Sequence, residues 1–167
     1  MRALRIVAVT AGLLTVVAVG MYVTASGRQA GPEQPIAFSH KVHAGDNTIP
    51  CLYCHANARR STVAGIPSVQ RCMGCHKITA AARPDVQKLA GYWERKEPIA
   101  WAKVTWMPDF VYFEHWPHVR AGLECQTCHG PVETMERMQE VTALTMDACV
   151  ACHRARDVSI DCVVCHR

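Results

Sequence analysis

The stretch CLYCH at residues 51–55 contains the pattern that decides how this chain folds, C-x-x-C-H. The pattern occurs five times, and the five copies together contain all ten cysteines. They are CLYCH at 51–55, CMGCH at 72–76, CQTCH at 125–129, CVACH at 149–153 and CVVCH at 162–166. Positions i and i+3 lie on one face of a helical turn, so each cysteine pair presents two thiols side by side. The next residue then places an imidazole close to both thiols.

C-x-x-C-H is the attachment signature of c-type haem. The two thiols can bond the two vinyl groups of one porphyrin, and histidine is a standard axial ligand of its iron. A zinc site or a disulfide framework would leave the histidines unexplained. The sequence therefore predicts five covalent haem c groups, bonded by Cys51, Cys54, Cys72, Cys75, Cys125, Cys128, Cys149, Cys152, Cys162 and Cys165. Their predicted proximal ligands are His55, His76, His129, His153 and His166.

The four remaining histidines form two His-x-x-His pairs, His40 with His43 and His115 with His118. Both pairs occur in the phrase F-x-H-x-x-H followed shortly by Ala-Gly, so the exported region contains a repeat. An isolated histidine is most often a surface or packing residue, but here all four belong to the repeated phrase. We predict that they are distal ligands, His40 and His43 for the haems of a first half and His115 and His118 for two haems of a second half.

A fifth haem needs a distal ligand that these histidines do not supply. Methionine is the natural substitute, and Met/His ligation raises the reduction potential. Met135 and Met146 are the favoured candidates, with Met107 and Met138 as further alternatives. A helix predicted to start near Pro131 (PVETMERMQEV) would place Met135 and Met138 on one face. An open iron position that permits small-molecule chemistry is the other alternative.

The N-terminus predicts export. Arg2 and Arg5 precede an uncharged run from Ile6 to Ala25, about 20 residues long, which suffices for a transmembrane helix. Basic residues before such a run keep the N-terminus in the cytoplasm. A signal peptide cleaved after Val23-Thr24-Ala25 is the alternative. We favour an uncleaved anchor, residues 1–25, in the cytoplasmic membrane, with the haem domain on the periplasmic face.

The rest of the chain is predicted to be a single haem-cored domain. Residues 26–35 read as a linker, and residues 36–167 as the pentahaem domain, with halves at about 36–80 and 111–167 and a connector at 81–110. Because the chain has only three Phe, four Tyr and four Trp, the haems themselves must supply most of the buried surface. We therefore expect a mainly α fold with extensive loops.

Two further expectations concern the connector and the charge. A helix from about Asp85 to Glu97 would place Val86, Leu89 and Trp93 on one face. The formal net charge is +4, but the propionates of five haems would outweigh it, which argues against nucleic acid as a partner.

The layout of His-x-x-His and C-x-x-C-H motifs resembles the class III cytochromes c of the c3 and c7 type. Four phrases more specifically resemble the pentahaem cytochrome subunit of alternative complex III. They are FSHKVHAG at 38–45, GIPSVQRCMGCHK at 65–77, MPDFVYFEHWPHVRAGLECQTCHGPVETM at 107–135 and LTMDACVACHR at 144–154. The resemblance covers nearly the whole chain from about Ile36, and includes the N-terminal anchor.

This resemblance implies an electron-relay subunit that is not an enzyme by itself and has no small-molecule substrate. Such a subunit serves a membrane assembly that oxidises quinol and passes electrons towards a cytochrome c or a terminal oxidase. The implied partners are an iron–sulfur protein, quinol-binding membrane subunits and a monohaem cytochrome c. One alternative is a free-standing, membrane-tethered carrier of the c7 type, including a donor to a molybdopterin oxidoreductase. Another is a pentahaem reductase, for instance of nitrite.

Overall fold

A computed structural model describes Thr10, residues 12–21 and residues 31–166. The chain divides into two compact units, Met1–Gly31 and Pro32–Arg167. In the first unit, residues 12–21 are helical. No helix within the described residues is both long enough and apolar enough to cross a membrane. Most of the predicted anchor, residues 1–25, lies outside the described residues, so the anchor stays a prediction.

The second unit consists of short helices joined by loops, as the sequence predicted. The α-helices are α1 (Cys51–Cys54), α2 (Val69–His76), α3 (Pro84–Arg95), α4 (His115–Arg120), α5 (Gln126–His129), α6 (Met146–Ala155) and α7 (Cys162–Cys165). A π-helix at Lys41–Asp46 and two 3₁₀ helices at Ala56–Arg59 and Val132–Thr134 complete the set. Residues 31–166 contain no strand, only an isolated antiparallel bridge between Val111 and His166.

Helix α3 is the predicted connector helix, and its ends have clear causes. Pro84 is at the start, where its missing N–H and fixed φ are no cost, and Asp85 in the first turn favours the helix dipole. Lys96 ends the helix in the left-handed conformation at φ 56°. Leu89 is the buried residue of the predicted apolar face, so that face is confirmed, while Trp93 stays 38% exposed.

The apolar core of the polypeptide is small. Five hydrophobic side chains are buried among the described residues, Ile36, Ala58, Met73, Leu89 and Met135, and none of the described side chains is fully enclosed. A domain of this size normally buries well over half of the surface of its unfolded chain. The protein therefore needs additional buried surface from another source, as expected for a chain that packs around covalent porphyrins.

The predicted helix from Pro131 to Val141 is wrong. Only Val132–Thr134 form a 3₁₀ turn, and Met135 is extended at φ −90° and ψ 118°. The Met135 carbonyl accepts a hydrogen bond from Lys41 N at 2.9 Å, so it is not available to a helix ladder. A Cβ on Gly45 would also collide with the Glu133 carbonyl, which shows how closely this segment approaches the π-helix. The tertiary contact thus overrides the local helical pattern.

Candidate haem sites

The five C-x-x-C-H copies are here called sites 1 to 5, in sequence order. In each site the two cysteines lie on one helical turn, in α1, α2, α5, α6 and α7, except that Cys125 is the N-cap residue directly before α5. None of the ten cysteines forms a disulfide bond. Each site therefore presents two thiols and an adjacent imidazole, which are the groups that attach and ligate one haem c.

The histidine rings are held by the backbone in one tautomer. In seven of the nine histidines, Nδ1 lies 2.6–3.2 Å from a backbone carbonyl oxygen. The partners are Ser39 for His43, Gly65 for His55, Thr79 for His76, Thr62 for His115, Glu114 for His118, Ser159 for His153 and Phe110 for His166. Because a carbonyl only accepts, Nδ1 must carry the hydrogen, which leaves the Nε2 lone pair free for a metal.

Three proximal histidines each face one histidine of a His-x-x-His pair. The ring centroids are 6.0 Å apart for His43 and His76, 6.4 Å for His115 and His129, and 6.0 Å for His118 and His153. With a metal–nitrogen bond of about 2 Å on each side, two imidazoles on opposite faces of one iron have centroids roughly 6 Å apart. The residues of sites 2, 3 and 4 therefore fit a haem iron between two histidines.

His40 is next to His55 of site 1. Burial, together with the nearby His55 and His43, lowers the pKa of His40 to about 4. His40 Nδ1 is buried and makes no hydrogen bond within the described chain. A neutral buried imidazole is the form that binds iron. His40 is therefore the candidate distal histidine of site 1.

Two phenylalanines of the repeat pack against the predicted distal histidines, a role that was not predicted from the sequence. Phe38 lies 4.9 Å from His40 and 4.3 Å from His43, ring centroid to centroid. Phe113 lies 4.8 Å from His115 and 4.7 Å from His118. Each ring thus contacts both histidines of its pair. The phrase F-x-H-x-x-H contained this signal, because the phenylalanine recurs with the histidines.

Site 5 is built differently from the other four. His166 forms the bridge with Val111, and Tyr112 N donates to the Cys165 carbonyl at 2.8 Å. The His166 ring lies 5.9 Å from the Phe110 ring, centroid to centroid. No histidine ring of the described chain stacks on it in the way seen at sites 2, 3 and 4.

The predicted methionine ligands lie in different places. Met135 is buried beside the π-helix, and Met146 is 67% exposed at the start of α6. Met138 is half-buried and lines a cleft together with Cys128 and His129 of site 3. Met107 is half-buried and lies three residues before Phe110, the residue whose carbonyl holds His166. The distal ligand of site 5 stays a prediction.

Thiol contacts connect the sites in an order that differs from their order in the sequence. Burial raises the pKa of the Cys54 thiol, and Cys75 of site 2 raises it further. Burial and then the Cys51 thiol raise the pKa of Cys125, so sites 1 and 3 touch. In the same way, burial and then Cys152 raise the pKa of Cys128, which joins sites 3 and 4.

The last link joins sites 4 and 5. Burial raises the pKa of Cys149, and the Cys165 thiol raises it further. Interacting thiols therefore link the five sites in the order 2, 1, 3, 4, 5. Sites 1 and 3 are neighbours in this order, although site 2 lies between them along the chain.

Comparisons with known proteins agree with this chemistry. Residues 19–98 match the class III cytochrome c family. Residues 111–167 match the family of cytochrome c7 and related cytochromes c. The multihaem cytochrome c subunit of the menaquinone reductase of Nitratidesulfovibrio vulgaris (strain Hildenborough) is 32% identical over 119 residues, which cover 71% of this chain and 56% of the relative. The chain thus spans little more than half the length of this relative.

Proposed function

We propose that this chain, an electron-transferring multihaem cytochrome related to the class III and c7 families, is a five-haem relay subunit of a membrane-bound quinone-linked oxidoreductase. The observation that carries the proposal is that thiols of successive sites lie close enough to interact, in the order 2, 1, 3, 4, 5. An electron carrier with one entry and one exit requires such a series. The relationship to a menaquinone reductase subunit supports the link to a quinone.

The leading form of the proposal is the pentahaem subunit of alternative complex III. In this assembly, quinol-binding membrane subunits and an iron–sulfur protein would supply electrons. A monohaem cytochrome c or a terminal oxidase would accept them. The subunit would lie on the periplasmic face of the cytoplasmic membrane, held by residues 1–25. Four phrases between residues 38 and 154 support this form through their resemblance to that subunit.

The reverse direction is the second form. The relative is named a menaquinone reductase, so electrons in that protein's complex go to the quinone rather than from it. A free-standing tethered carrier is the third form, and it needs no permanent partners.

Haem staining of gently solubilised membranes on a native gel, with mass spectrometry of the stained band, separates the complex from the free carrier. Co-migration with iron–sulfur and multispanning membrane subunits supports the complex. Migration of the chain alone in the mildest detergent excludes it. The mass of the isolated chain also reports how many haems it carries, and fewer than five would contradict the proposed series.

Direction is then tested on the isolated complex. Added quinol should reduce the haems in the forward form. In the reverse form, quinol leaves them oxidised, while a reduced periplasmic cytochrome drives quinone reduction.

A further inference from the structure

We infer that the loop formed by residues 61–65 is a shared bracket that sets the axial ligands of two haems at once, those of sites 1 and 3. Its Gly65 carbonyl accepts a hydrogen bond from His55 Nδ1 at 2.6 Å. Its Thr62 carbonyl accepts one from His115 Nδ1 at 2.8 Å. His55 is the proximal histidine of site 1 and His115 the distal histidine of site 3, so four residues of backbone connect the two sites.

The loop is fixed on both sides. Trp116 N donates to the Ser61 carbonyl at 3.3 Å, beside the Thr62 contact with His115. His115 N also donates to the Thr62 carbonyl, at 3.1 Å. The 3₁₀ helix Ala56–Arg59, which follows His55 directly, packs against α4, which begins at His115. The loop is therefore held by both elements that carry the two ligands.

Gly65 is required by the geometry of this bracket. Its φ is +77°, a conformation that other residues adopt only with strain. A Cβ at this position would lie 3.2 Å from Asn57 Nδ2, which is a tight contact. Any larger residue is therefore strained at this position, beside the carbonyl that holds His55, and it also displaces the Asn57 side chain.

The other imidazole at each of these two sites lacks such a bond. His40 Nδ1 is buried without a hydrogen-bond partner in the described chain. No hydrogen bond to the His129 ring occurs within the described residues either. At sites 2 and 4, by contrast, both imidazoles are bonded to carbonyls. The 61–65 loop thus supplies the carbonyl bonds observed at sites 1 and 3.

A hydrogen bond from Nδ1 makes an imidazole a stronger donor to iron and fixes its ring plane. Distortion of the loop should therefore raise the reduction potentials of sites 1 and 3 together. It should also change the low-spin electron paramagnetic resonance signals of both haems. Sites 2, 4 and 5 should keep theirs. This inference needs haem at sites 1 and 3, and it does not depend on which complex the chain serves.

The experiment compares Gly65→Ala with Gly122→Ala in the haem-loaded full-length protein. Gly122 has nearly the same positive φ, +78°, but nothing lies within 4 Å of its added Cβ. His40→Met and His115→Met assign the signals of sites 1 and 3. If a wild-type signal is not changed by its assigning variant, the haem is not ligated as proposed.

Gly65→Ala is expected to shift the signals and raise the potentials of both sites, whereas Gly122→Ala shifts neither. A shift confined to site 1 would contradict the inference that one loop sets the ligands of both sites. If Gly65→Ala fails to take up haem, Thr62→Gly replaces it, because it keeps every backbone acceptor and only loosens the loop. Broadened signals at sites 1 and 3 together are then expected, and unchanged signals would overturn the inference.

Discussion

Sites 1 and 3 differ from sites 2 and 4 in how their paired histidines are held. At sites 2 and 4, both imidazoles donate to backbone carbonyls, at 2.7–2.9 Å. At sites 1 and 3, one imidazole donates to the 61–65 loop, at 2.6 and 2.8 Å. Burial lowers the pKa of the other imidazole, His40 at site 1 and His129 at site 3. The same ligand pair therefore has two different environments in one chain.

This difference in hydrogen bonding and burial should change the reduction potentials of the haems. A second carbonyl bond makes the ligand a stronger donor and favours ferric iron, while burial disfavours the extra positive charge of ferric iron. Both effects raise the potentials of sites 1 and 3 relative to sites 2 and 4. Haems at sites 1 and 3 should therefore be reduced more easily than those at sites 2 and 4.

The largest expected effect comes from replacing distal histidines. His118→Met at site 4 and His115→Met at site 3 should each raise the potential of one haem by on the order of 100 mV, because axial ligands tune haem potentials over a wide range. A redox titration followed by visible absorption measures this. An unchanged titration in either variant would mean that the histidine is not an axial ligand.

The next effect is the difference in reduction potential between sites 1 and 3 and sites 2 and 4 in the wild-type protein. A hydrogen bond contributes about 1 kcal/mol to a net equilibrium, which corresponds to roughly 40 mV for one electron. Sites 1 and 3 should therefore titrate about 40 mV above sites 2 and 4. Redox titration followed by electron paramagnetic resonance measures each site. Potentials in the opposite order would break the comparison.

A smaller effect concerns protein stability and should leave the difference in reduction potential between the two pairs of sites unchanged. Phe38 contacts one predicted distal histidine of site 1 and one of site 2. Phe113 does the same for sites 3 and 4. Phe38→Leu and Phe113→Leu should each cost about 1 kcal/mol of stability through the lost ring contacts, because such contacts contribute on this scale. Thermal unfolding monitored by circular dichroism measures the cost. Loss of the potential gap in either variant would show that ring packing sets the difference, and not the carbonyl bonds.

The smallest expected effect concerns the shape of the electron paramagnetic resonance signals and not the reduction potentials. The imidazole planes of His115 and His129 are nearly parallel, at 2°, whereas those of His43 and His76 are inclined by 66°. Parallel planes split the iron orbitals more, so site 3 should show a rhombic low-spin signal and site 2 a more axial one. Low-temperature spectra of partly reduced samples resolve the two. Identical signals would contradict the ring geometry described above.

The sequence was sufficient for the parts of the site that are local. The i and i+3 spacing of the cysteines predicted the helical turns, and the structure has a turn at every copy. Helix α3 was also predictable, because its apolar period and its terminal Pro84 agree. The segment from Pro131 was mispredicted, since its periodic pattern could not show that Lys41 would bond to the Met135 carbonyl.

The sequence by itself determined the number of attachment motifs, the candidate ligands, and the repeat that contributes two histidines to each half. These follow from covalent chemistry and from distances within one or two helical turns. Only the tertiary structure decided the order 2, 1, 3, 4, 5, and the way in which the 61–65 loop serves two sites. Every residue has a backbone carbonyl, so no sequence pattern indicates which carbonyl an imidazole will bond. The choice depends on long-range packing.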